Sequence, residues 1–169
     1  TNISTNTSDI SLINNKTLVN FSSGARLYED GNRNLAVGTE SLINNTTGTR
    51  NDAFGNNALY TNTTGGSNTA LGKNSLLANT TGGENVAVGS YALDKNTTAN
   101  DNTAVGYNAL GANITGASNT GIGASTLLVL TTGANNTAVG HNALYTCQDT
   151  SSNTGLGAWA GAALTTGAF

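Results

Sequence analysis

The sequence predicts an all-β protein, a parallel β-solenoid (β-roll) with one 17-residue repeat in each coil. The main observation is a unit that reads NTAVGYNALGANITGAS at residues 102–118 and recurs eight times over residues 34–169, without insertion or deletion. A constant period of this kind indicates a repeat architecture. The repeat is also rich in Asn, Thr and Gly and poor in helix-forming residues. Finally, the chain has no Pro, which suits a backbone whose amides are nearly all hydrogen-bonded.

The first column of the repeat is Asn in every copy, where column 1 means the first residue of each 17-residue unit. A side-chain amide both donates and accepts hydrogen bonds. Identical amides stacked at a strand spacing of roughly 4.8 Å can therefore bond to the copies above and below. The alternative is that Asn and Gly only occupy turns that need positive φ. The predicted structural ladder consists of Asn34, Asn51, Asn68, Asn85, Asn102, Asn119, Asn136 and Asn153.

Columns 4 and 9 are the two firmly apolar columns. Column 4 is always Val, Leu, Ile or Phe, and column 9 is Leu except at Gly161 in the last copy. One unit cannot bury enough surface to fold alone, whereas stacked units form continuous apolar ladders inside the coil. We expect short strands over columns 1–4 and 9–14, with bends or close backbone approach at the Gly of columns 5 and 15. The predicted core includes Val37, Leu42, Leu59, Leu76, Leu93, Val105, Leu110, Leu127 and Leu144.

Residues 1–33 differ from the regular repeats that follow. They hold six of the fifteen charged residues, yet SLINNKT at residues 11–17 echoes SLINNTT at residues 41–47. We interpret residues 1–33 as an N-terminal arm with degenerate coils that cap the stack or dock onto a neighbour. Residues 34–169 then form the eight-repeat solenoid. The chain begins at Thr1, as expected of a processed secreted protein or of a fragment.

Composition argues against several classes of function. Charged residues make up 9% of the chain and the net charge is −3 without a basic patch, which disfavours a nucleic-acid partner. No apolar run approaches the 18 or so residues of a membrane span. Cys147 is the only cysteine, which excludes an intramolecular disulfide framework, and His141 is the only histidine. No carboxylate pair recurs. We therefore predict a non-enzymatic protein with no metal and no cofactor.

N-x-T triplets recur at column 12 in the first five copies. In a secreted protein such triplets are candidate glycan acceptors on the edge of a coil. A chain this rich in Asn and Thr also produces them by composition alone. The candidate sites are Asn45, Asn62, Asn79, Asn96 and Asn113.

The eighth copy is the most apolar and lacks the Leu of column 9. It contains Trp159 and Leu164 and ends at Phe169, with no polar capping segment after it. Solenoids need polar caps because an open end exposes strand edges and core. We therefore expect these three residues to contact another subunit, whose N-terminal segment covers this end. Head-to-tail contact of this kind generates open filaments. The alternative is a longer protein cut at a repeat boundary.

The motif NTAVGYNAL at residues 102–110, echoed as NTAVGHNAL at residues 136–144, resembles the head repeats of trimeric autotransporter adhesins of the YadA type. It is also similar to repeats in phage tail fibres and bacterial surface proteins. The resemblance extends over columns 1–9 of every copy. It implies a left-handed parallel β-roll, three chains side by side, and extracellular adhesion or fibre building. The family's repeat is commonly shorter, and the coiled-coil stalk that follows its head has no counterpart in this sequence.

We therefore predict an extracellular structural or adhesive subunit of a surface fibre that self-associates head-to-tail, with a glycan or a cell-surface receptor as a further partner. The head of a trimeric adhesin or of a phage-type fibre is one alternative. An ice-binding solenoid is a second, because the Thr of column 13 or of column 14 would form a regular line on one face. A fibre fragment that binds or depolymerises glycans is a third, and depolymerisation needs carboxylates in a groove.

Overall fold

The computed structural model describes residues 10–13, 16–20, 26–29 and 31–163 of the 169-residue chain. These residues form eleven strands in one sheet, ordered as in the sequence, with no helix. The strands are β1 (Ile10–Ile13), β2 (Lys16–Asn20), β3 (Arg26–Glu29), β4 (Leu35–Val37), β5 (Asp52–Phe54), β6 (Thr69–Leu71), β7 (Val86–Val88), β8 (Thr103–Val105), β9 (Thr120–Ile122), β10 (Thr137–Val139) and β11 (Thr154–Leu156). The predicted all-β class is confirmed.

Strands β4 to β11 are parallel, and each belongs to one coil of a β-solenoid. Neighbouring strands are aligned with a shift of one repeat, so that Thr103 lies beside Thr120 and Val105 beside Ile122. Like columns therefore stack along the whole rod. The predicted 17-residue coil is confirmed, and the sequence period sets the register of the sheet.

Strands β1, β2 and β3 pair with each other antiparallel, and β3 pairs antiparallel with β4, where Leu27 lies opposite Val37. They continue the sheet as a meander. The expectation of degenerate coils before residue 34 was wrong for these strands. Of the arm predicted over the first dozen residues, residues 1–9 lie outside the described residues and the remainder belongs to β1. Because β3 covers one edge of β4, the parallel part of the described sheet is open only at β11, and β1 forms the other edge of the whole described sheet.

Each coil contains a single three-residue strand at columns 2–4, and the remainder of the coil consists of turns. The second strand expected over columns 9–14 was wrong. The Leu residues of column 9 have φ of 48–51°. The backbone N–H of Asn62 donates a hydrogen bond to the carbonyl of Leu59 at 3.2 Å, which closes a turn. Residues at columns 7 and 17 also have positive φ. Three left-handed positions in each coil therefore turn the chain back toward the sheet.

The Gly of column 5 follows each strand and has φ between 116° and 141°. At Gly89 a Cβ atom would lie 2.4 Å from the carbonyl oxygen of Gly106 in the next coil. Both a bend and a close approach of two backbones therefore exclude a side chain here. The prediction for column 5 is confirmed.

The interior of the coil is filled by column 9 together with two columns of small residues, columns 3 and 8. The predicted core residues Leu42, Leu59, Leu76, Leu93, Leu110, Leu127 and Leu144 are all at most 2% exposed. Column 3 is Ala or Gly, and its alanines, such as Ala104, are completely buried. At Gly121 a Cβ would lie 2.8 Å from the Thr126 hydroxyl and 3.4 Å from Cγ of Leu110, so the space beside the strand is narrow.

Column 4 faces the other side of the sheet. Val37 and Val105, which the sequence placed in the core, are only partly buried, while Leu71 is 50% and Ile122 is 41% exposed. The prediction of an interior position for column 4 was wrong. Successive residues of a strand point to opposite faces, and the narrow interior accepts the small residue of column 3 in place of its larger neighbour.

Candidate functional site

The asparagines of column 1 form a continuous ladder inside the coil. Oδ1 of Asn51 accepts hydrogen bonds from the backbone N–H of Asn68 at 3.1 Å and from its Nδ2 at 3.0 Å. Nδ2 of Asn68 also donates to the carbonyl of Gly82, in column 15 of its own coil, at 2.9 Å. The backbone bond to Oδ1 recurs at each step, and all eight asparagines are at most 1% exposed. The predicted ladder is confirmed.

A second ladder, which the sequence reasoning missed, is formed by the asparagines of column 12. Nδ2 of Asn79 donates to Oδ1 of Asn62 at 2.8 Å and to the carbonyl of Gly82 at 2.9 Å. The ladder runs from Asn45 to Asn113 and stops where Leu130 replaces Asn, so Oδ1 of Asn113 is buried without a partner. The signal was present in the sequence, because column 12 is Asn in five consecutive copies.

This second ladder contradicts the predicted glycan acceptors. Asn62, Asn79, Asn96 and Asn113 are completely buried, and each Nδ2 donates to two acceptors inside the coil. Asn45 is partly exposed, but its Nδ2 donates to the carbonyl of Gly48 at 3.0 Å. A glycan would be attached to this nitrogen. The prediction of glycosylation was therefore wrong for Asn62, Asn79, Asn96 and Asn113, since the folded coil leaves no space for a sugar there, and it stays a prediction for Asn45.

The outer face of the parallel strands carries a line of apolar side chains, which we call the outer stripe. At a strand spacing of roughly 4.8 Å the line is about 34 Å long. Its most exposed members are Leu156 at 78%, Leu71 at 50% and Ile122 at 41%. Val86, in column 2 of the same face, adds to it at 36% exposed. The stripe consists of Val37, Phe54, Leu71, Val88, Val105, Ile122, Val139 and Leu156.

Aromatic side chains lie at the corner just after the strands, in columns 6 and 7. The rings of Tyr91 and Tyr107 meet edge to face with centroids 6.1 Å apart, and Nζ of Lys73 lies 6.0 Å from the Tyr91 centroid. His141 and Trp159 form a similar pair at 5.6 Å. Trp159 is 59% exposed on the last described coil. The other two predicted assembly residues, Leu164 and Phe169, lie outside the described residues.

The two threonine columns differ in what their hydroxyls do. In column 13 the hydroxyl donates to the column 13 carbonyl of the next coil, as from Thr63 to Thr80 at 3.0 Å. The threonines of column 14, such as Thr64 and Thr81, are exposed. Because the column 13 hydroxyls are used between coils, column 14 is the better candidate of the two for the exposed line that the ice-binding alternative needs.

Two carboxyl groups have shifted pKa values. Burial raises the pKa of Asp94, against the opposing effect of Lys95, whose Nζ lies 3.2 Å away. The hydroxyl of Thr131 donates to Asp149 and, with further hydrogen bonds from Thr132, lowers the pKa of that exposed carboxyl. These carboxyls belong to different coils and do not form a catalytic pair.

Chemistry-bearing side chains are otherwise sparse in the described coils. The described residues contain no group of three or more His, Cys, Asp or Glu side chains that could hold a metal ion. Cys147 is buried, with Sγ 2.6 Å from the hydroxyl of Thr150. No helix among the described residues is long and apolar enough to cross a membrane. Comparison of the chain with protein-family models, curated proteins and solved structures gives no match. Functional inference therefore depends on the surfaces of the coil.

Proposed function

We propose that this protein is an extracellular structural or adhesive rod, without enzymatic activity, whose coils associate side by side with other copies of the chain. The observation that carries the proposal is the outer stripe. Its side chains are not needed to fill the coil, because columns 3, 8 and 9 already do so. A contiguous apolar surface of this length is typical of an interaction site. Contact between stripes of two or three copies would remove these side chains from water.

The construction of the rod supports a mechanical role. The column 1 ladder and the backbone bonds between coils link each coil to the next, and the column 12 ladder adds to them in the first five coils, so that the outer stripe is held straight along the axis. Rigid elements of this kind display surfaces at a distance and need no catalytic group. The resemblance to adhesin head repeats favours the same role and supports an extracellular location. Side-by-side packing also agrees with the three-chain arrangement which that resemblance implies.

A specific observation also favours the head-to-tail filament. Oδ1 of Asn153 is buried and has no hydrogen-bond partner, although in every earlier coil this oxygen accepts the N–H of the next asparagine. It lies next to the open edge of β11. A second copy that docks end to end and donates an N–H to this oxygen would continue both the ladder and the sheet. Axial contact is therefore our second candidate for assembly, and the two modes are compatible in one fibre.

The test of lateral assembly introduces charge into the outer stripe. In the double variant Leu71→Lys/Ile122→Lys, two exposed apolar residues become cationic, which should abolish self-association while the coil stays folded. The control is Thr81→Lys/Thr115→Lys, which adds the same charge at exposed positions of column 14. Sedimentation equilibrium gives the mass of each, and circular dichroism checks the fold. Loss of association in the first variant alone supports the proposal. A monomeric wild-type chain at high concentration, or equal loss in both variants, refutes it.

Axial assembly is read independently by electron microscopy of the wild-type chain. Long filaments with a repeat close to the length of one rod indicate end-to-end contact. Discrete short rods, two or three chains thick, indicate lateral contact alone.

A further inference from the structure

Column 17 forms a second regular corner of the coil, at the amino-terminal side of the strands and separate from the outer stripe. Its residues are exposed and share φ of 58–63°. From Arg50 onward, the N–H of each bonds to the column 16 carbonyl of the previous coil, as from Ser67 to Thr49 at 2.8 Å and from Glu84 to Gly66 at 3.0 Å. Their side chains therefore stand in a straight file, one coil or roughly 4.8 Å apart.

The first five residues of this file carry an ordered set of charges, which we call the charge file. Two arginines come first, then a neutral serine, then two acidic residues. The charge file is Arg33, Arg50, Ser67, Glu84 and Asp101. The column continues without charge through Ser118, Asn135 and Ser152.

The charges of this file have no partner within the described part of the chain. The one ion pair found there joins Lys95 and Asp94, in other columns. Arg33 and Arg50 flank an open cavity of about 250 Å³, and Glu84 and Asp101 flank another of about 340 Å³. Like charges in neighbouring coils repel each other. In addition, a backbone with left-handed φ favours Asn or Gly over Arg and Glu. Both features disfavour the isolated coil, so the file indicates an external partner.

The order of the charges identifies that partner. A rotation by 180° about an axis through Ser67 exchanges each arginine position with an acidic one. Two chains related by this rotation place Arg33 against Asp101 of the other copy and Arg50 against Glu84 of the other copy, which gives four ion pairs in all. An in-register parallel contact would place like charges together. A parallel contact shifted by three coils would pair the two arginines of one chain with the two acidic residues of the other. The remaining two charges of each chain would have no partner. Self-complementarity under a two-fold rotation is the property of an isologous interface.

We propose that the charge file is a docking surface for a second copy of this chain, lying antiparallel about a two-fold axis at Ser67. The contact goes beyond the proposed lateral and axial assembly and uses different residues. It can therefore be tested, and refuted, independently of the proposed function. Ion pairs on an exposed ridge are individually weak and are screened by salt. The surface therefore joins rods or fibres reversibly, in a salt-dependent manner, and gains strength when many copies are displayed together.

Disulfide capture detects a weak contact of this kind. In the full chain, Ser67→Cys places a thiol on the proposed axis, and Ser118→Cys places one at an equally exposed site in the same column with the same backbone conformation. The native Cys147 is buried. Under mild oxidation at low salt we expect Ser67→Cys to form dimers roughly tenfold faster than Ser118→Cys, and the excess to disappear at about 0.5 M salt. Equal rates for the two variants, as in-register packing requires, would overturn the proposal.

Charge reversal in the Ser67→Cys background provides the second test. Arg33→Glu/Arg50→Glu makes the file wholly negative, and Glu84→Arg/Asp101→Arg makes it wholly positive, so each chain alone should lose the rapid cross-linking. A mixture of the two should regain it as a heterodimer, identified by a size difference between the chains. Recovery also shows that both variants fold. Absence of recovery from two chains with normal circular dichroism spectra contradicts the antiparallel pairing.

Discussion

Oδ1 of Asn34 accepts two hydrogen bonds from Asn51, one from the backbone N–H at 2.8 Å and one from Nδ2 at 3.1 Å. One buried side-chain oxygen thus joins two coils through both backbone and side chain. The same backbone bond is repeated at every later step of the column. A polar interior of this kind is tolerated because nearly every donor and acceptor in it has a partner.

Removal of one amide from the middle of the ladder should be costly. In Asn68→Ala, the carbonyl of Gly82 keeps a second donor, Asn79, but the backbone N–H of Asn85 loses its acceptor, which lies at 3.0 Å. An unsatisfied buried N–H and the cavity beside it should together lower the free energy of unfolding by about 2–4 kcal/mol. Chemical denaturation measures this. The exposed Asn56→Ala is the control and should change stability by less than about 0.5 kcal/mol. Equal effects would show that the ladder contributes little.

Glycine at column 5 should not tolerate a methyl group. Gly89→Ala combines a φ of 132° with a contact of 2.4 Å to the Gly106 carbonyl, so the two coils must separate. We expect a loss of at least about 3 kcal/mol or a failure to fold. Gly31→Ala is the matched control, because a Cβ there meets nothing within 4 Å. Thermal unfolding followed by circular dichroism compares the two. A stable Gly89→Ala variant would contradict the close packing of adjacent coils.

The two neighbours Ala104 and Val105 should respond to substitution in opposite ways. Ala104→Leu forces a large side chain into the narrow interior and should cost about 1–3 kcal/mol or more. Val105→Thr changes a partly exposed residue of the outer stripe to a β-branched polar one, and should alter stability by less than about 1 kcal/mol. Urea denaturation of both variants gives the comparison. The reverse order of stabilities would mean that column 4 faces inward after all.

Asp94 should make stability fall as pH rises. Its pKa is raised in the folded chain by burial, so between the unfolded pKa near 3.8 and the higher folded pKa the folded state binds more protons. Asp94→Asn cannot ionise. The variant should therefore gain in Tm relative to the wild type across this window and keep a constant advantage at higher pH. The exposed Asp52→Asn controls for the loss of a negative charge. A Tm difference that does not change with pH would refute this expectation.

The asparagines of column 1 and the glycines of column 5 were predictable because their identity follows from local requirements. An amide ladder needs the same side chain in every coil. Column 5 needs a residue without Cβ because the backbones of successive coils approach closely there, as at Gly89 and Gly106. The left-handed leucines of column 9 were not predictable. Leu59 has φ of 51° because a fully buried side chain must point inward at a turn, and this tertiary demand overrides the local preference of Leu. The antiparallel meander of β1 to β3 was missed because residues 11–17 echo the repeat and were therefore interpreted as a coil.

The sequence by itself determined the 17-residue coil, the register of the parallel strands and the position of the column 1 ladder, because a strict repeat can stack in only one way. The tertiary structure decided which face of each strand is inside. Apolar character favoured Val105 for the interior, but residues alternate along a strand, and the volume left beside Leu110 admits only a residue as small as Ala104 or Gly121. Packing volume, which no single repeat reveals, therefore turned the larger apolar residues outward and created the surface on which the proposed assembly depends.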